Sequence, residues 1–209
     1  MNREIVKRWV NEIQEALNSK SPITQYHALG LLSTIRQHDR IAIIKLIQNC
    51  TKMNFRAPQA HCLLIKLTTK IINEEPPQQP RPMFEVLEGY LRHKSDIVVL
   101  EAARAICGLR DVIQKELASA VSALQLMLVS HKTVVRFAAV RCLSKLSMTH
   151  PTAVWPCNLD MENLITDPNR SIATYAITTL LKTGTEASVD RLMKQINTFM
   201  TDISDEFKV

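Results

Sequence analysis

Apolar positions along this chain recur at three- and four-residue spacings, and residues 167–184, DPNRSIATYAITTLLKTG, display the pattern most cleanly. Ile172, Ala173, Ala176, Ile177 and Leu180 share one face of a helix turning about 100° per residue. Asp167-Pro168-Asn169 supplies a turn, and Asn169 caps the helix. Thr183-Gly184 is expected to end it, with the glycine in the left-handed cap conformation that it enters without steric cost.

The same periodicity predicts helices throughout. The first covers Arg3 to Asn18, with Ile5, Trp9, Ile13 and Leu17 on its buried face. Ser21-Pro22 opens a second that runs to Ile35, Asp39 caps a third, and Pro58 sits in the first turn of a fourth that reaches Ile71. Residues 73–82, NEEPPQQPRP, interrupt the pattern, because their four prolines cannot sustain a helix; they read as a surface loop. Helices resume over 83–92, 95–109, 116–129 and 133–147. An irregular segment with Pro151 and Pro156 follows, then a short helix near Met161 to Ile165, the 167–184 helix, and a helix over 189–200.

A repeat emerges when the second helix of each pair is aligned on alanine, then an aliphatic four residues on, then another three further. The sets are Ala28-Leu32-Ile35, Ala60-Leu64-Leu67, Ala102-Ile106-Leu109, Ala139-Leu143-Leu146 and Ala176-Leu180-Thr183, the last position having lapsed to threonine. The alanines lie 32, 42, 37 and 37 residues apart, the longest step containing the proline loop. Two helices per unit of about 40 residues describe an all-α, HEAT/armadillo-like alpha-alpha superhelix, with each pair burying its face against its neighbours. About five helix pairs are expected, in a single alpha-solenoid segment over 1–209. Such arrays need polar terminal units. Trp9 near one end and Phe207 near the other suggest a segment of a longer array.

Composition narrows the class. Hydrophobic residues make up 46% of the chain and aromatics only 5%, which suits aliphatic helix packing, and four glycines without period-two alternation argue against a sheet. The net charge of +6 comes from 26 basic and 20 acidic residues interspersed, compatible with acidic partners or anionic surfaces but demanding neither. Five cysteines, odd in number and without CxxC spacing, exclude a disulfide framework and point to a reducing compartment. Cys62, Cys107 and Cys142 read as small buried hydrophobes. No secretory signal is visible at the start, and Leu117 to Val129 is too short to span a bilayer. Asn49 and Asn169 fit the glycosylation pattern but lie in helical or helix-start context.

No nucleotide, hydrolase, zinc-protease or calcium-loop motif occurs, so no enzyme activity, cofactor or metal is expected. His61 and Cys62 are adjacent and point about 100° apart on a helix, so they read as structural. Asp160 and Glu162 are read as helix caps near Met161. Trp9, Phe55, Phe84, Trp155 and Phe207 are scattered as packing residues, without the basic interleaving of a nucleic-acid groove, and nucleic acid is not expected as a partner.

One pattern stands out. Positions two and six after each leading alanine lie about 200° and 240° round the helix, away from the core. They read Gly30 and Thr34, Cys62 and Lys66, Arg104 and Gly108, Arg141 and Lys145, Thr178 and Lys182. Half are basic and none is acidic. Second helices line the inner surface of such arrays, so Lys66, Arg104, Arg141, Lys145 and Lys182 are candidate partner-binding residues in a basic ladder. The competing reading is an ordinary solvated face.

Several stretches carry a resemblance: VKRWVNE at 6–12, QYHALGLL at 25–32, Asn158-Leu159-Asp160, Glu162-Asn163-Leu164, NRSIAT at 169–174, AITTLLKTG at 176–184, VDRLMKQI at 189–196 and ISDEFKV at 203–209. With these the chain resembles the coatomer gamma-subunit family, most specifically in its C-terminal third, and mainly in pattern over Arg40 to Gln114. The resemblance implies an adaptin-like trunk in the COPI coat of Golgi-to-endoplasmic-reticulum and intra-Golgi transport. It further implies a non-enzymatic scaffold, peripheral on the cytosolic face of the Golgi membrane and its vesicles. Implied partners are the zeta subunit, the beta and delta subunits in the full complex, and an Arf-family GTPase through the full trunk. The family's appendage and earliest trunk helices have no counterpart among the matched stretches, and no GTPase-binding residue is carried over. Sequence physics alone also admits a nuclear transport receptor, which would favour an acidic inner surface, or a HEAT-like DNA repair protein, which would use a basic one.

Overall fold

The computed structural model describes residues 8–53, 55–74, 83–184 and 189–202, and among these every regular element is helical. In chain order they are α1 (Val10–Ala16), α2 (Pro22–Arg36), α3 (Arg40–Thr51), α4 (Pro58–Glu74), α5 (Phe84–Tyr90) and α6 (Asp96–Cys107). There follow α7 (Gln114–Leu128), α8 (Thr133–Ser147), α9 (Pro151–Val154), a 3₁₀ turn at Trp155–Cys157, α10 (Asn158–Leu164), α11 (Arg170–Thr183) and α12 (Val189–Asp202). The chain divides into two compact units, Met1–Val112 and Ile113–Val209.

In the first unit α1 packs on α2, α3 on α2 and α4, α5 on α4 and α6, and the second helices α2, α4 and α6 pack in sequence. Ser21 Oγ accepts the Thr24 amide at 3.4 Å and Asp39 Oδ1 the Ala42 amide at 2.9 Å, so both predicted caps form. Leu29, Leu32, Ile47, Leu64, Ile65, Leu87 and Ile106 are fully buried, each stabilising the unit by about 1.5–3 kcal/mol through loss of apolar surface. Gln25 joins neighbouring pairs: its Nε2 donates to the Leu17 carbonyl at 3.2 Å and its Oε1 accepts the Arg56 amide at 3.3 Å. Asp111, after α6, has φ of 50°, a left-handed conformation that aspartate tolerates better than branched residues.

In the second unit α7 packs on α8, α8 on α11, and α10 on α11, with α9 wedged among α7, α8 and α11. Leu117, Leu124, Leu128, Leu143 and Met161 fill the core. Asn169 Oδ1 accepts the Ser171 and Ile172 amides at 3.0 and 3.3 Å, forming the predicted cap of α11. Arg136 of α8 reaches the turn before that helix. Its Nη2 lies 2.9 Å and its Nε 3.0 Å from Asp167 Oδ2, while Nη1 donates to the Ser130 carbonyl at 2.8 Å. The side chains of this pair are only 18% and 6% exposed, so one guanidinium ties two interhelical turns together.

Of the fifteen aligned repeat positions only Ile35 and Leu67 are not buried. The lapsed position is no gap in the core. Thr183 is fully buried, its hydroxyl 2.7 Å from Asn158 Oδ1 and 3.0 Å from the Thr179 carbonyl, and Asn158 Nδ2 donates back to the Thr183 carbonyl at 2.8 Å. That reciprocal pair joins α10 to the end of α11.

Several expectations change. Gly184 is extended, with φ −64° and ψ 150°, not left-handed. A glycine is required there because a Cβ would lie 2.7 Å from the Leu180 carbonyl oxygen. Trp9 is 57% exposed because α1 starts only at Val10, leaving Trp9 outside the helix and Leu17 as the buried anchor. Residues 151–157 are helical turns: Pro151 and Pro156 both occupy first-turn positions, where the missing N–H costs nothing. The proline-rich stretch begins later than expected, since Asn73 and Glu74 belong to α4 and Asn73 Oδ1 accepts the Arg110 amide at 3.1 Å. Residues 75–82 lie outside the described residues, as do Ile5 and Phe207. The most buried thiols are Cys50 and Cys157, with Cys142 also buried and Cys62 and Cys107 half-buried. Asp160 does not cap α10; its Oδ2 accepts Gln125 Nε2 at 2.7 Å and so fixes α10 to α7.

Candidate functional site

All five cations of the ladder are exposed, as their places opposite the buried alanines require. Two belong to the first unit and three to the second, and the two sets differ in electrostatics. On α4 and α6, Glu101 stands between the cations, with Arg104 Nη2 3.1 Å from its Oε2 and Lys66 Nζ 4.0 Å from its Oε1. One carboxylate thereby offsets half the charge of that pair. A Glu three residues before an Arg is a helix-face neighbour, so this partner was legible in the sequence.

The second unit is different. Arg141 and Lys145 lie one turn apart on α8, and Lys182 lies on α11 with its ammonium against the Met148 sulfur. Among the described residues no carboxylate reaches ion-pair distance of these three. Thr174 and Thr178 continue the exposed row of α11, their hydroxyls donating to the Arg170 and Thr174 carbonyls at 2.9 and 3.0 Å.

The remaining candidates have structural surroundings. His61 Nε2 donates to the Phe55 carbonyl at 3.3 Å, which leaves Nδ1 bare, buried and unpartnered. Its ring stacks at a tilt on His93 at 4.7 Å and meets Phe55 and Tyr90 edge-on. Burial lowers the His61 pKa below the usual 6.5, against the raising effect of the Phe55 hydrogen bond and with His93 lowering it further. Burial likewise pushes the Cys50 and Cys157 thiols up to about 11 and about 12. Among the described residues no group of three His, Cys, Asp or Glu side chains is placed to hold a metal. A cleft of about 240 Å³ lies between α2, α3 and α4, lined by Thr34, His38, Arg40, Lys70 and Glu74 among others. Trp155 and Trp9 are exposed, Phe55 is buried, and among the described residues no aromatic stripe accompanies the cations.

The whole chain, residues 1–209, matches the adaptin N-terminal region. The chain belongs to the adaptin N-terminal family. Within that family it matches coatomer gamma subunits. It is 56% identical to coatomer subunit gamma of Arabidopsis thaliana over 211 residues, covering 100% of this chain and 24% of that protein. With coatomer subunit gamma-1 of Homo sapiens it shares 55% identity over 206 residues, covering 99% of this chain and 24% of that protein. The chain therefore spans about a quarter of the length of these relatives. Among solved structures, the crystal structure of an engineered protein is similar at a TM-score of 0.60 with 19% identity, covering 94% of this chain and 91% of that one. A second engineered protein gives a TM-score of 0.58 with 17% identity, covering 94% and 55%. These two likenesses are of fold alone. In this adaptin N-terminal segment the stretches that carried the resemblance between Asn158 and Ile196 fall on or at the ends of α10, α11 and α12, while 203–209 lies outside the described residues.

Proposed function

We propose that the chain is a scaffold segment of a coatomer gamma subunit, acting in the COPI vesicle coat by presenting stacked helix pairs to other coat subunits. The observation that carries this reading is identity of 54–56% to coatomer gamma subunits over essentially the full chain. In this reading the work is mechanical and non-enzymatic: within each unit buried aliphatic faces support an exposed surface, and binding energy comes from that surface. The zeta subunit is the proposed direct partner of this segment. Beta and delta join in the full complex, and an Arf-family GTPase acts through the complete trunk. The setting is the cytosolic face of Golgi membranes and vesicles, reached peripherally; among the described residues no helix is long and apolar enough to cross a membrane. Lys66, Arg104, Arg141, Lys145 and Lys182 are the proposed partner-facing residues, on the strength of their exposure and shared helical phase. Co-expression with the coatomer zeta subunit tests the assignment. The pair should co-purify, and a folded chain that never retains zeta would sink it.

A further inference from the structure

α8 and α11 pack side by side, and together they contain no aspartate or glutamate. Acidic residues are 20 of the 209, so the 29 residues of these two helices would hold about three at average composition. They carry five cations instead: Arg136, Arg141, Lys145, Arg170 and Lys182. Arg136 is taken up by Asp167, and Arg170 opens α11 away from the others.

The two helices run in the same direction. Phe137 meets Tyr175 edge-on at 5.8 Å near their starts, and Met148 meets Lys182 near their ends. At the 37-residue repeat step Arg141 corresponds to Thr178 and Lys145 to Lys182. Arg141 and Lys145 are about 6 Å apart along the axis, the rise of four residues. Like charges at that spacing destabilise a helix, and a helix surface that is merely solvated mixes signs. Among the described residues no carboxylate lies at ion-pair distance to offset this repulsion, whereas the first unit sets Glu101 between Lys66 and Arg104.

Three cations fall short of the cluster of about four to eight that lipid headgroup recognition uses. Phe137 and Tyr175 face each other and are half-buried, so no ring is presented for base stacking. Met148 and Leu181, both exposed, place apolar surface beside Lys182, and the oxygens of Thr174 and Thr178 remain open as acceptors. Apolar contact with flanking charge is the composition of a protein interface. Resting on the reading that the second-helix cations face a partner, we propose that Arg141, Lys145 and Lys182 form the docking face for an acidic helical segment of a partner protein. That segment carries carboxylates one turn apart, and Lys66 and Arg104 contribute little to holding it.

The test uses the full chain and a labelled helical peptide with Glu and Leu one turn apart, followed by fluorescence anisotropy at low and high salt. Exchanging Arg141→Glu, Lys145→Glu and Lys182→Glu together should weaken binding by about tenfold or more, and raising salt should weaken the wild type. Lys66→Glu with Arg104→Glu should change affinity less than about twofold, and the charge-keeping Arg141→Lys, Lys145→Arg, Lys182→Arg variant should bind like wild type. Arg141→Gln, Lys145→Gln, Lys182→Gln, checked by circular dichroism, gives a milder variant should the reversal disturb folding. Equal binding by wild type and the Glu or the Gln triple variant overturns the proposal, as does an equal loss in the first-unit variant. So does binding to phosphatidylserine vesicles or duplex DNA in place of the peptide. Peptide binding without zeta co-purification would fail the coat reading alone, and zeta co-purification with peptide binding indifferent to the reversals would fail this inference alone.

Discussion

Asp167→Asn is the sharpest probe of how the second unit is held together. The substitution keeps the size of the side chain and one acceptor oxygen, but removes the charge facing Arg136. Two hydrogen bonds of 2.9 and 3.0 Å to one carboxylate oxygen lose their ionic character, in surroundings where the two side chains are only 18% and 6% exposed. Breaking a buried pair by removing one partner costs about 3–5 kcal/mol. The Ser130 and His131 carbonyls continue to accept from Nη1, at 2.8 and 3.3 Å, so the lower end applies. We expect a loss of about 3 kcal/mol in urea unfolding with an unchanged slope. The double-mutant cycle with Arg136→Met should return a coupling of about 2 kcal/mol that persists at high salt. A loss under about 1 kcal/mol, or a coupling abolished by salt, would place this pair with ordinary surface ion pairs and refute the reasoning.

Four further outcomes follow. Gly184→Ala should lower the melting temperature, because its Cβ meets the Leu180 carbonyl at 2.7 Å, whereas Gly89→Ala, with nothing within 4 Å, should gain about 0.5–1 kcal/mol in the same assay. His61 is held below its ordinary pKa of 6.5, so the unfolded chain takes up the proton more readily; stability is full above that value and should fall as pH drops below it, with a shallower fall in His61→Phe melts. Thr183→Val should cost about 1–2 kcal/mol, read by chemical unfolding, since Asn158 Oδ1 loses its donor at 2.7 Å. Native-state alkylation at pH 8, followed by mass spectrometry, should leave Cys50 and Cys157 unmodified while Cys107 reacts, since the first two are buried with thiols raised to about 11 and about 12.

Helix type and repeat phase were legible because both rest on local periodicity. Ser21, Asp39 and Asn169 cap where the sequence places them, and thirteen of the fifteen repeat positions are buried. What was not legible depends on distance in sequence. Arg136 and Asp167 are 31 residues apart, Gln125 and Asp160 are 35, and nothing local to either announces its partner. Thr183 looked like a lapse because its match, Asn158, lies 25 residues upstream. Gly184 ends the helix as its place in the sequence implies, but through close approach to a carbonyl, a demand for glycine that a left-handed turn shares. The outward phase of the ladder could be computed from the repeat. The contrast between its members in the two units is not local in sequence, because Glu101 reaches Lys66 only through the packing of α6 on α4.

Light scattering of the purified chain mixed with the coatomer zeta subunit tests the scaffold assignment most directly. The account predicts one species at the summed mass of one copy of each. A helical, cooperatively melting chain that elutes at its own mass beside free zeta would contradict it.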